Sequence, residues 1–185
     1  YHIREGEELD PAIYEEIVGK LLPKRATMRA MNLLKSRPYT EYQLRQKLSM
    51  GGYPQDAQEE AISYVKSYHY IDDRQYAMDY IEYHQESKTK QKLLQSLMSK
   101  GLSKELILEC FDEIVGDRKK ELEEEQILKI LRKKNYDPEQ WTFEEKQRLM
   151  ASLYRKGFSS ELIHVHFYLT LSLIHISEPT RHLRI

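Results

Sequence analysis

Apolar residues recur along this chain at the spacing of amphipathic helices, and one short pattern returns three times. It reads Leu48, Gly52, Tyr53, Pro54 in the first copy; Leu97, Gly101, Leu102, Ser103 in the second; and Leu153, Gly157, Phe158, Ser159 in the third. Each copy is a leucine, a glycine four residues on, a bulky apolar residue, then Ser or Pro. The pattern predicts a joint between helices. The glycine ends one helix in a left-handed conformation, and the apolar residue packs back as a plug. Ser103 and Ser159 are placed to cap the helix that follows. Positions four, eight and nine after the plug continue the stripe: Ala57, Ala61 and Ile62; Leu106, Cys110 and Phe111; Leu162, His166 and Phe167. Only His166 breaks it.

Two further helices are expected ahead of each joint. Thr40 and Gln43 form a capping box opening a short helix with Leu44 and Leu48 inward. Leu93, Leu94 and Leu97, then Leu149 and Leu153, stand in the same relation in the later copies. Before these lie helical stretches at 26–37, 75–85 and 118–134, and Pro38 ends the first. Ile13, Ile17, Val18, Leu21 and Leu22 mark one more amphipathic helix over 11–22. The predicted fold is all-α, with tandem three-helix repeats stacked into an elongated, curved array, since each unit alone buries too little. The expected divisions are a lead-in at 1–22, repeats at 23–70, 71–115 and 116–170, and a non-native or disordered tail at 171–185.

Composition narrows the function classes. With 40% apolar and 32% charged residues, the chain is too apolar for wholesale disorder, yet its apolar residues are dispersed among several small cores. A formal net charge of −1 excludes nucleic-acid binding by bulk charge, so any such binding must be local. The one cysteine, Cys110, permits no intramolecular disulfide; it falls on an apolar stripe and reads as a small buried hydrophobe in a cytoplasmic protein. The run 167–176 is interrupted by Thr170, Ser172 and His175 and falls short of the roughly 20 residues a membrane span needs. The chain opens at Tyr1 rather than Met, as a fragment or a processed product would.

There is no glycine-rich phosphate loop, nucleophile elbow or metal-ligand spacing. His164, His166, His175 and His182 lack a carboxylate or cysteine at ligand spacing. The acidic residues Asp72, Asp73 and Glu123 to Glu125 read as helix surface. No catalysis, cofactor or metal is expected.

The residues carry a family resemblance. Arg25, Ala26, Leu33, Leu34, Arg37, Pro38, Thr40, Gln43, Leu44, Lys47, Leu48 and Gly52 resemble the first repeat of the RecX family. Ile71, Asp72, Asp73, Tyr76, Ala77 and Tyr80 resemble its most distinctive motif, and Lys100-Gly101 and Lys156-Gly157 its later turns. The resemblance covers roughly residues 1 to 165, and beyond Ile163 the chain departs from the family pattern. It implies three tandem three-helix units that bind the RecA recombinase filament, with its single-stranded DNA, in the filament's helical groove. There they inhibit or modulate recombinase and coprotease activity. A monomer with no membrane partner is expected. Read from the residues alone, Asp72 or Asp73 caps the helix carrying Tyr76 and Tyr80, and Ile71 staples its entry.

Local charge is uneven. Residues 24–50 balance to +6, with Glu41 their one acid; residues 86–104 balance to +4; the tract between them balances to −5. A charge run is usually a solvated helix face. Taken with the resemblance, the candidate DNA or filament surface is Arg25, Arg29, Arg37, Arg45, Lys47, Lys88, Lys90 and Lys92, lying on one side of the array. Tyr64, Tyr68, Tyr76, Tyr80 and Tyr83 are read mainly as packing between repeats rather than base stacking. Two other functions compete: a stand-alone helical DNA-binding protein, and a generic helical-repeat scaffold. Near-neutral charge opposes the first, and glycines 49 and 56 residues apart do not match the second's shorter period.

Overall fold

A computed structural model describes residue 6 and residues 8–169; the tail expected at 171–185 lies outside the described residues. Every regular element among them is helical: α1 Pro11–Glu16, α2 Leu22–Ser36, α3 Glu41–Met50, α4 Gln55–Ser67, α5 Asp73–His84, α6 Lys90–Met98, α7 Lys104–Val115, α8 Lys119–Lys133, α9 Phe143–Arg155 and α10 Ser160–His164. A wide π turn, Ile17–Leu21, joins α1 to α2 without a break, and Leu22 N–H donates to the Ile17 carbonyl five residues back. Pro23 explains the widening, because it has no N–H to continue the α ladder. The described residues fall into two compact units, one within Tyr1–Tyr80 and Ser96–Cys110, the other within Ile81–Gln95 and Phe111–Ile185.

In the first unit, α2, α3 and α4 close on a core of Ala26, Ala30, Tyr39, Leu44, Leu48, Ala57, Ala61, Ile62, Val65 and Ile71. Ala26 and Ala30 on α2, and Ala57 and Ala61 on α4, are each one turn apart, so small side chains let these helices approach closely. Ile71 joins this core, as expected of a staple. The second unit packs α8, α9 and α10 around Ile127, Leu131, Leu149, Met150, Leu153, Phe158, Leu162, Ile163 and Phe167.

The three joints share one geometry. Gly52, Gly101 and Gly157 have φ of 77°, 89° and 82°. The plug N–H then donates to the leucine carbonyl five residues back, Tyr53 to Leu48, Leu102 to Leu97 and Phe158 to Leu153, each at 3.3 Å. Such a bond satisfies a carbonyl that a helix end would otherwise leave unpaired. Ser103 and Ser159 accept from Leu106 N–H and Leu162 N–H at 3.2 and 3.3 Å, as their positions predicted. Leu106 itself is only half-buried, and the adjacent Ile107 takes the core position.

A second repeated feature lies at the start of each middle helix. Thr40, Thr89 and Thr142 accept the N–H of the residue three further on: Gln43, Lys92 and Glu145. Only Thr40 stood out in the sequence. Its side chain is wholly buried and donates to the Lys100 carbonyl at 2.6 Å. That bond sets the turn after α6 on the first turn of α3, with Gly101 against Tyr42. In the second unit Gly157 lies against Gln91. Each contact pairs a joint glycine with the second residue after a capping threonine.

Asp72 and Asp73 divide their labour. Asp72 caps α5, accepting from Arg74 N–H and Gln75 N–H at 2.9 and 3.0 Å. Asp73 accepts the Glu41 N–H at 2.9 Å and so helps cap α3. Its burial, opposed by that bond, pushes its carboxyl above the usual range. Cys110 is fully buried, as its stripe predicted. The packing reading fails for three tyrosines. Tyr64 on α4, Tyr68 just past its end and Tyr83 on α5 are 40%, 57% and 82% exposed. Tyr76 and Tyr80 are half-buried, with the Lys100 ammonium 5.7 and 5.6 Å from their ring centroids.

Candidate nucleic-acid interface

The basic residues of the first unit divide into open and engaged groups. Arg25 and Arg29 are exposed one turn apart on α2. Lys47 is exposed on α3, and Arg37, just past α2, holds its guanidinium 4.3 Å over the Tyr39 ring. Arg45 is different. Its guanidinium forms a two-pronged pair with Glu59 on α4, at 2.7 and 2.9 Å, and also bonds Glu41 at 2.9 and 3.0 Å. Lys66 holds the other Glu41 oxygen at 2.7 Å. The Lys66 bond, with help from Arg45, keeps the Glu41 carboxyl below its usual range.

This network engages the Arg45 fork with carboxylates within its own unit, unlike the open Arg25, Arg29 and Lys47. It also shows why linear charge balances mislead: Glu59 and Lys66 belong to the acidic tract, yet they face the basic one once α3 and α4 pack together.

In the second unit, Lys92 is exposed on α6, while Lys88 and Lys90 line one cavity. The loop carrying Lys88 is pinned from α8. The buried Gln126 side chain donates to the carbonyls of Gln85 and Lys88 at 2.6 and 3.1 Å. Lys119, at the start of α8, lines the same cavity. The run Arg118, Lys119, Lys120 was the available signal, but only packing brings it to Lys90.

No cluster of three or more His, Cys, Asp or Glu able to hold a metal occurs among the described residues. His164 contacts the Tyr154 hydroxyl at 3.1 Å, and His175 and His182 lie outside the described residues. None of the described helices is long and apolar enough to cross a membrane.

Comparison with known proteins agrees with the helical arrangement. Residues 26–64 match the family model for RecX, first three-helix domain, and residues 121–164 that for RecX, third three-helix domain. The chain is 32% identical over 169 residues to the regulatory protein RecX of Caldanaerobacter subterraneus, covering 91% of this chain and 82% of the relative. It is 30% identical over 168 residues to that of a Clostridium botulinum strain, covering 86% and 77%. Two crystal structures share the fold. A regulatory protein RecX aligns with TM-score 0.69 at 24% identity, covering 88% of this chain and 81% of that one. RecX from Lactobacillus salivarius aligns with TM-score 0.66 at 20% identity, covering 82% and 97%. With two RecX domain models matched and similarity to regulatory RecX proteins running through most of its length, this chain belongs to the RecX family.

Proposed function

We propose that this chain is a non-catalytic regulator that binds the RecA filament on single-stranded DNA and restrains recombinase and coprotease activity. The observation that carries the reading is identity of 32% to a named regulatory RecX protein across nearly the whole chain. Exposed Arg25, Arg29, Arg37 and Lys47, with Lys88, Lys90 and Lys92, support it as the contact surface. These residues form local basic patches on a chain of net charge −1. That balance favours a composite protein–DNA partner over bare duplex, whose affinity would rest on phosphate neutralisation alone. The three units of the proposed division, 23–70, 71–115 and 116–170, would follow the filament groove. Weak contacts spread along one filament then add through effective concentration. The protein would act as a cytoplasmic monomer.

The test is titration of the protein into RecA carrying out DNA-dependent ATP hydrolysis and strand exchange. Inhibition at stoichiometric or lower amounts is expected. No effect at equimolar protein removes the reading, and tight binding to duplex DNA without recombinase would favour a stand-alone DNA-binding protein instead.

A further inference from the structure

The second unit contains a cavity of about 280 Å³ whose lining includes three lysines, Lys88, Lys90 and Lys119, and one carboxylate, Glu123. Glu123 is already engaged, accepting the Ser159 backbone N–H. The Lys90 ammonium lies 3.6 Å from Asp112 and 4.6 Å from the centroid of the Phe111 ring. Phe111, Leu122 and Phe158 supply an apolar wall, which weakens the screening of charge in the cavity. Thr89 and Ser159 also line it, and each hydroxyl accepts a backbone N–H, from Lys92 and Leu162 respectively. Each hydroxyl therefore keeps its own proton to donate. Gln126 anchors the loop that carries Lys88 and Thr89, so this wall is set in advance of any ligand.

Folding alone does not favour this arrangement. Partial burial, and then the Lys119 ammonium beside it, hold the Lys90 ammonium below the usual lysine range, with Asp112 compensating only in part. A doubly charged tetrahedral anion would relieve both effects and would accept from ammonium and hydroxyl donors together.

We propose that this cavity binds a phosphate group, with Lys90 and Lys119 flanking the anion, Lys88 closing the rim, and Thr89 and Ser159 donating through their hydroxyls. The group can come from a free anion or from the backbone of a nucleic-acid strand. The site shares Lys88 and Lys90 with the proposed filament surface but needs no recombinase, so either can fail while the other stands.

The experiment is a titration of the full chain, with isotopically labelled lysine side chains, by inorganic phosphate and separately by a thymidine-only single strand, followed by NMR. Saturable shifts of the Lys90 and Lys119 resonances are expected, together with a rise in the Lys90 pKa on binding. Lys90→Gln and Lys119→Gln should each weaken binding about tenfold, the loss of one charge-assisted bond. Lys119→Arg and the exposed control Lys134→Gln should retain it. Displacement of phosphate by the strand assigns the site to nucleic-acid backbone, and failure to displace it assigns a free anion. The proposal is overturned if neither probe moves Lys90 and Lys119 saturably. It is equally overturned if both Gln variants, folded by their backbone spectra, bind as the unaltered chain does.

Discussion

A methyl group placed on Gly101 would lie 2.2 Å from the Cβ of Tyr42, so the turn after α6 lies directly against the first turn of α3. The buried Thr40 hydroxyl bonds the Lys100 carbonyl within the same contact. Gly101→Ala would therefore meet both a left-handed φ and a steric block. We expect a loss of about 2–4 kcal/mol in chemical denaturation, combining backbone strain with overpacking. Gly52 has a similar φ but no atoms within 4 Å of the added methyl. Gly52→Ala should lose only about 1 kcal/mol, the backbone part alone. Equal losses would refute the stacking role of Gly101.

Arg45 and the pair Arg25 and Arg29 should separate stability from binding. Arg45→Gln breaks the fork to Glu59 and the bond to Glu41, and should lower stability by about 1 kcal/mol after allowance for partial exposure. It should leave RecA filament affinity unchanged. Reversing Arg25 and Arg29 to Glu should leave stability intact, weaken filament binding and reduce its salt slope by about two. Filament binding measured across a salt series decides between them.

Acid should weaken the α3–α4 contact through Glu41. Its folded-state carboxyl titrates below the ordinary glutamate value, chiefly because of Lys66. The stabilisation is therefore fully present above the ordinary value and is lost as pH falls through the depressed folded one. Glu41→Gln should lower stability at neutral pH and show a shallower decline towards pH 3, read from unfolding midpoints across a pH series. A variant curve parallel to that of the unaltered chain would show that Glu41 contributes nothing to the acid response.

Gln126→Leu would leave the Gln85 and Lys88 carbonyls without its two bonds. A loss of about 2 kcal/mol is expected, with faster amide exchange concentrated in residues 85–89. Exchange that stays as slow as in the unaltered chain would show that another contact holds the loop.

Much of the fold was legible in the linear order because it depends on short-range geometry. Gly52, Gly101 and Gly157 each sit four residues past a leucine, and a left-handed residue at a helix end is chiefly a local backbone requirement. The caps Ser103, Ser159 and Thr40 followed from spacings of three residues, and the inward leucines from the period of the helix. Where a neighbour far along the chain decided the outcome, the order of residues was silent. Asp72 and Asp73 are adjacent, yet one caps its own helix and the other reaches the Glu41 amide. Arg45 read as an open charge until α4 brought Glu59 against it. Lys119 stood apart from Lys88 and Lys90 until α8 placed it beside them in one cavity.

Local sequence thus determined where helices begin, end and turn, because those choices are made by atoms within one or two turns of backbone. Tertiary structure alone decided which charges are engaged and which converge. Coulomb energy and hydrogen bonding depend on distance and burial in space, and a one-dimensional string records neither.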